Sequence, residues 1–337
     1  MLDPATPTVL ACPHCLGPLA LRGHLHCAAC DKAFQEHDGV IDLLDDPSKR
    51  TALEEADYDA RAGYDDRAIQ RIGAEWVGVL AQAGRPAAGC TVLEVGAGTG
   101  ALTAALLRHG DVGRLFATDV SLAFLKVALA RGGGDARLSA VRGDANRLPF
   151  TDGQFDLVLG RSILHHLLDY PEVLAQSRRL LRPGGLAVFF EPILEGKIQI
   201  AQLAAQVAAL ARAQGDAKLT EADLRRIDQM VRHITKAAWH PQDRAALARL
   251  EDKFIFDVAG MRAAGTKAGF AATSFLPPPA ADGADLWPQF LATMRLLGID
   301  PARMAGYAGL GEGYRRSVGM FPALRYPPMG YFVFRAG

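Results

Sequence analysis

The chain lacks an excess of either charge, with Lys plus Arg and Asp plus Glu balanced at 37 each over 337 residues. A molecule without net charge produces no long-range field that draws it to nucleic acid or to an anionic membrane, although a local patch can still form. It also lacks any apolar run near the ~18 residues that a membrane span requires. The N-terminus, with Asp3, Pro4 and Pro7, lacks the basic and apolar regions of a signal peptide. These absences predict a cytoplasmic protein without a membrane span. Cysteine is scarce: there are five, four of them in two tight pairs. That pattern argues against a secreted disulfide framework and, in a reducing compartment, favours metal ligation. The fifth, Cys90, reads as a buried apolar residue. There is no internal repeat of solenoid period. What the chain does have is apolar content, 50% of residues, enough for one large core or a medium core with satellites.

Changes of pattern divide the chain. Residues 1–45 are short and Cys/His-rich, and end in the strand-like segment Gly39-Val40-Ile41-Asp42-Leu43-Leu44. Over 51–84, Ile69, Ile72, Trp76, Val77 and Leu80 recur at helical spacing, and Arg85-Pro86 closes that region. From 91 to 192, short apolar runs at 91–95, 114–118, 138–142, 155–160 and 186–190 alternate with helical stretches. Strand–helix alternation implies a mostly parallel sheet covered on both faces.

Cys12-Pro13-His14-Cys15 and Cys27-Ala28-Ala29-Cys30 form two C-x2-C pairs separated by eleven residues, a gap long enough for a hairpin. Their four thiolates can close a tetrahedron around zinc. Four protein sulfurs leave no open coordination position, so the predicted zinc is structural. His14, His24, His26 and His37 lie close in sequence, and any of them could replace a cysteine; they read instead as solvated loop residues.

The segment Leu93-Glu94-Val95-Gly96-Ala97-Gly98-Thr99-Gly100 follows an apolar strand and opens a helix through Leu102, Ala105 and Leu106. A glycine-rich strand-to-helix turn lets the backbone approach a ligand closely. Here an acidic residue precedes a compact G-x-G-x-G instead of the G-x-G-x-x-G of dinucleotide binders. A carboxylate at that point repels a pyrophosphate and suits a cationic, methionine-like group, so the ligand expected is a nucleoside without phosphate.

With these residues in place, 92–192 resembles the class I S-adenosylmethionine-dependent methyltransferases. The resemblance implies a Rossmann-like seven-stranded α/β sheet, and a cofactor site made by Glu94, Gly96, Ala97, Gly98 and Gly100. In it, Asp119 would accept from the ribose hydroxyls and Val120 would pack on adenine. In Gly143-Asp144-Ala145, Asp144 would take the exocyclic amine and Ala145 would donate its backbone N–H. Leu148-Pro149-Phe150, Gln154-Phe155-Asp156 and Leu181-Arg182-Pro183-Gly184-Gly185 fit the same pattern. Arg161 would line the passage to the acceptor. His165 and His166, after the fourth strand, are general-base candidates because imidazole titrates in the useful range, or else organise a helix start. Glu191 is a further candidate near the acceptor, or a loop cap.

The family core needs little chain beyond residue 192, so the excess is expected to form insertions. One is a helical cap over 193–256. The C-terminal part of the fold, 257–337, carries a second insertion over about 280–328. Thr220-Glu221-Ala222-Asp223 reads as a capping box. Trp287, Phe290, Met294, Tyr307 and Tyr314 read mainly as core packing, on insertions where acceptor shape is usually sensed. Tyr58 and Tyr64 are candidates to close over the cofactor. The Ala-rich cap helices suit packing on their own domain or in a homodimer equally.

The zinc knuckle resembles that of the bacterial ribosomal RNA guanine-N1 methyltransferases. Against an RNA acceptor, the first 50 residues hold four basic side chains (Arg22, Lys32, Lys49, Arg50) and seven acidic ones, whereas RNA affinity rests on neutralising phosphates. The expected function is methyl transfer to a small, partly apolar metabolite of natural-product or lipid-like type. An RNA base methyltransferase, a protein methyltransferase and a cofactor-binding scaffold that docks a partner are the alternatives.

Overall fold

The computed structural model describes residues 6–44, 66–84, 89–239, 243–279, 285–319 and 326–337. Tyr58, Tyr64, the first part of the region 51–84 and the Arg85-Pro86 break lie outside them. The chain forms two compact units, Met1–Phe190 with Arg262–Ser274 and Phe332–Gly337, and Glu191–Met261 with Phe275–Tyr331.

In the first unit, strands β1 (Ala20–Leu21), β2 (Leu25–Cys27) and β3 (Lys32–Phe34) form a small antiparallel sheet. They are followed by β4 (Glu36–His37) and β5 (Val40–Asp42). Helix α1 (Asp66–Gln82) buries Ile69, Ile72, Trp76 and Leu80 of the face that the helical spacing marked; Val77 of that set is only half-buried, and Val79 is buried in addition. The alternating region then supplies β6 (Cys90–Val95), α2 (Ala101–His109), β7 (Val112–Asp119), α3 (Leu122–Gly132), β8 (Leu138–Arg142), β9 (Phe155–Arg161), α4 (Tyr170–Leu180) and β10 (Leu181–Pro192). Near the C-terminus β11 (Ala272–Leu276) and β12 (Met329–Arg335) complete the set.

The main sheet has nine strands in the order β11-β12-β10-β9-β6-β7-β8-β5-β4. Its seven strands from β6 to β12 are those expected. The other two come from the N-terminal segment: β5 pairs in parallel with β8, Asp42 opposite Arg142, and β4 pairs antiparallel with β5. The strand-like reading of 39–44 is therefore correct, and the register with residues a hundred positions later is new. In β6, β7 and β9, runs of four consecutive residues are buried. Successive strand residues face opposite sides, so both faces of the sheet are covered. Phe116, Phe150 and Phe155 meet edge to face at 5.2 to 5.7 Å between ring centroids and are wholly buried.

The second unit contains α5 (Leu194–Gln214) and α6 (Glu221–Trp239), two helices within the expected cap. Helix α7 (Val258–Lys267) spans both units' segments. Then follow α8 (Trp287–Leu296), a 3-10 segment Pro301–Tyr307 and α9 (Ala308–Gly319). One apolar cluster joins Ile200, Leu203, Val207, Leu224, Ile227, Phe290, Met294 and Tyr307, with Trp287 and Tyr314 packed against it. The aromatic residues of the second insertion are core residues of this unit. The Thr220–Asp223 capping box forms in full: Asp223 accepts from the Thr220 N–H at 3.0 Å and from its hydroxyl at 2.8 Å, while the Asp223 N–H donates back to that hydroxyl at 3.2 Å. No helix among the described residues is long and apolar enough to cross a membrane.

Candidate active site

The strand order reverses at β6, which has β7 and β8 on one side and β9 and β10 on the other. In open parallel sheets a ligand binds at the carboxyl ends of strands beside such a reversal. The sequence-selected residues fall there in turn: Glu94 to Gly100 from the end of β6 onward, Asp119 and Val120 at the end of β7, Asp144 and Ala145 after β8, Arg161 to His166 from the end of β9 onward.

Gly96, Gly98 and Gly100 all have positive φ (68°, 53° and 82°). Two of them also have no room for a side chain: a Cβ on Gly96 would lie 2.5 Å from the Ile163 side chain, and one on Gly100 would lie 2.7 Å from the Ala128 backbone. The turn is held by groups that local pattern does not mark. Arg131, on α3, donates to the Thr99 carbonyl at 2.7 Å and to its hydroxyl at 3.1 Å.

Glu94 is 1% exposed and accepts from the Thr103 hydroxyl at 2.6 Å. Burial pushes its carboxyl up to about 8; the Thr103 hydroxyl opposes this, the neighbouring Asp119 charge adds to it, and Arg161 opposes it. A carboxyl so far out of water gains most from a cation placed beside it. Asp119 accepts the Gly98 N–H on Oδ2 and the Ser121 N–H on Oδ1, each at 2.9 Å. Burial raises its pKa, and the N–H groups of Ser121, Gly98 and Val120 pull it down. Each carboxylate oxygen accepts more than one donor, so ribose hydroxyls can be added to these bonds.

Val120 is half-buried, and its carbonyl accepts from Arg142 Nε at 2.9 Å. Asp144 closes its own turn, accepting the Asn146 N–H on Oδ1 at 3.0 Å, beside half-buried Ala145. Arg161 lies with its guanidinium carbon 5.8 Å from the centre of the Phe190 ring. His165 and His166 occupy a 3-10 turn, Leu164–His166, with their rings 4.0 Å apart, and His165 is 8% exposed. Glu191 is wholly buried near the end of β10 and belongs to the second unit.

The cysteine prediction has a definite geometry. The sulfurs of Cys12, Cys15, Cys27 and Cys30 all lie within 4.8 Å of one another, with Cys15 and Cys27 3.6 Å apart. Zinc–sulfur bonds of about 2.3 Å require sulfurs about 3.8 Å apart in a tetrahedron, so the donor set fits zinc. None of the four nearby histidines belongs to this cluster among the described residues. His26 pairs instead with Asp31 at 3.1 Å.

The N-terminal module is bonded into the same unit. Ala11 N–H donates to the Pro149 carbonyl and Thr151 N–H to that of Val9, each at 2.9 Å. Arg147 donates to the carbonyls of Pro13 and His14. Arg142 pairs with Asp42 at 2.9 Å. Sequence reasoning did not mark Thr103, Arg131, Arg142 or Arg147, because each acts on a partner too distant in sequence to show as a pattern.

The family described as "Methyltransferase domain" matches residues 93–189. Among curated proteins, a demethylmenaquinone methyltransferase of Clavibacter sepedonicus is 33% identical over 150 residues, 43% of this chain and 60% of that protein. A malonyl-[acyl-carrier protein] O-methyltransferase of Xylella fastidiosa is 35% identical over 95 residues, 28% of this chain and 32% of that protein. The chain thus spans 60% or less of the length of either relative. A phosphoethanolamine N-methyltransferase 2 of Haemonchus contortus, solved in complex with S-adenosyl-L-methionine, is similar at 17% identity and a TM-score of 0.44, over 85% of this chain and 60% of that one.

Proposed function

With residues 93–189 belonging to a methyltransferase domain, we propose that the protein transfers a methyl group from S-adenosylmethionine to a small, partly apolar acceptor. The observation that carries this reading is the acidic, positive-φ glycine turn bonded to Asp119. It offers close backbone approach, a buried carboxyl for a cationic amino-acid tail and a second carboxyl for ribose hydroxyls. The cofactor supplies a methyl carbon already activated by its sulfonium, so the protein's work is alignment.

In this reading Glu94 and the turn from Gly96 to Gly100 hold the methionine part. Asp119 takes the ribose, Val120 packs on adenine, and Asp144 with Ala145 bonds its edge. Arg161 lines the approach to the methyl. His165 or His166 removes a proton at its imidazole nitrogen when the acceptor must lose one. Glu191 is kept as a second acceptor-side acid. The four cysteines hold a structural zinc.

A small acceptor is supported by the names of the two curated relatives, a quinone and a malonyl-carrier methyltransferase. It is supported too by the acidic balance of the first 50 residues, which disfavours RNA. The test is transfer of labelled methyl from S-adenosylmethionine to host extract separated into unmethylated RNA and a metabolite-plus-lipid fraction. Label in the metabolite fraction is expected; label confined to RNA would reverse the acceptor assignment.

A further inference from the structure

Two arginines flank the turn that follows β8, and both reach back to the N-terminal module. Arg142, 6% exposed, donates through Nε to the Val120 carbonyl and through Nη1 to Asp42, each at 2.9 Å. Arg147 donates through Nε to the Pro13 carbonyl and through Nη2 to the His14 carbonyl, across 134 and 133 residues of sequence. Pro13 and His14 are the two residues between Cys12 and Cys15.

Beside that loop the Gly17 N–H donates to the Cys15 sulfur at 3.4 Å. One amide of the knuckle thus faces a sulfur, while two of its carbonyls meet the Arg147 guanidinium. At its other end Arg147 belongs to the turn itself, its N–H donating to the Asp144 carbonyl at 2.9 Å. The Cys12–Cys15 loop is therefore joined through the Arg147 side chain to the turn that holds Asp144 and Ala145, beside the backbone bonds that tie Val9 and Ala11 to Thr151 and Pro149.

We infer that zinc occupancy of the knuckle sets the affinity for S-adenosylmethionine, with Arg147 as the positioning residue that links them. This rests on the reading of Asp144 and Ala145 as the adenine turn. A metal closes the Cys12–Cys15 loop and fixes both carbonyl acceptors in place. Without it they lose their fixed position, Arg147 loses a two-point anchor, and the turn must be ordered at the expense of cofactor binding. Arg142 and Asp42 bear on the same cradle from β5, so the module supports it from two sides.

The experiment uses the full chain, zinc-loaded or treated with chelator. It reads cofactor Kd by calorimetry, bound zinc by metal analysis, and amide hydrogen exchange over 143–148. Chelation is expected to raise the Kd about tenfold and to speed exchange over 143–148. Arg147→Ala should give a similar rise while keeping its zinc, chelation of that variant should add little more, and Arg147→Lys should recover part of the loss. The inference falls if Arg147→Ala retains zinc and binds the cofactor with the wild-type Kd. It falls equally if chelation leaves exchange over 143–148 unchanged. Failure of the zinc-loaded wild type to bind S-adenosylmethionine would instead overturn the methyltransferase reading, and the exchange measurement would still decide the brace.

Discussion

The carboxylate of Asp119 accepts the amide proton of Gly98 at 2.9 Å, so the acid that ends β7 also pins the glycine turn that follows β6. One side chain sets the spacing between two neighbouring strand ends, and the proposed cofactor lies across both.

Replacing Asp119 by Ala removes that pin together with the proposed ribose acceptor. Two charge-assisted bonds at about 1.5 kcal/mol each correspond to a rise of about a hundredfold in Kd for S-adenosylmethionine. Calorimetric titration measures it. An unchanged Kd would place the ribose elsewhere.

Glu94 makes the protein sensitive to pH on the neutral side. Its folded-state value of about 8 lies above its ordinary 4.5, so between these values the native protein holds a proton that the unfolded chain has lost. The stability from this group is full below pH 4.5 and declines as pH rises to about 8, with a slope of up to about 1.4 kcal/mol per pH unit. Glu94→Gln should flatten that part of the profile in urea unfolding at several pH values. A cationic cofactor favours the ionised form, so binding at pH 7 should release a proton from wild type but not from the variant. Calorimetry in buffers of different ionisation enthalpy reads this release.

The rings of His165 and His166 lie tilted to one another with centroids 4.0 Å apart on one short turn, and the proposed base is one of the two. Once an acceptor is in hand, one of His165→Asn and His166→Asn should lower kcat about a hundredfold. The other should leave it close to wild type. If neither variant lowers kcat, the pair organises the turn and nothing more.

In the second unit Asp223 is 3% exposed and joins the capping box to Arg303 at 2.7 Å. Burial alone would raise its pKa, but the Thr220 hydrogen bonds and the Arg303 charge outweigh it and hold the carboxyl below its usual range. Its contribution is therefore present at neutral pH and is lost as pH falls through the acid range. Asp223→Ala should cost about 3 kcal/mol at pH 7 and lose that acid-side slope, read by thermal unfolding across pH. A loss under about 0.5 kcal/mol, that of an ordinary surface substitution, would show the cluster to be ornamental.

Strand-length apolar runs and a local glycine motif can be seen in a short window, which is why β6 to β10, the Glu94–Gly100 turn and the paired cysteines were legible in the sequence. Helix α6 announced its start through Thr220 and Asp223, only three positions apart. Pairings that close over long loops left no such mark. Nothing around Val40 specifies Ala140 as its partner, and nothing around Arg147 specifies the carbonyls of Pro13 and His14. Thr103 lies one helical turn beyond the glycines, where any small residue satisfies the pattern, so its bond to Glu94 emerged only in three dimensions.

The pairing of β5 with β8 also orders events during synthesis. Chains emerge N-terminus first, so the cysteine module is exposed while Arg142, a hundred residues behind Asp42, has yet to be made. The four paired cysteines all lie within the first 30 residues and can meet early, whereas β5 waits for β8. Until then its Val40 and Ile41, wholly or almost wholly buried in the finished protein, are an unpaired sticky edge.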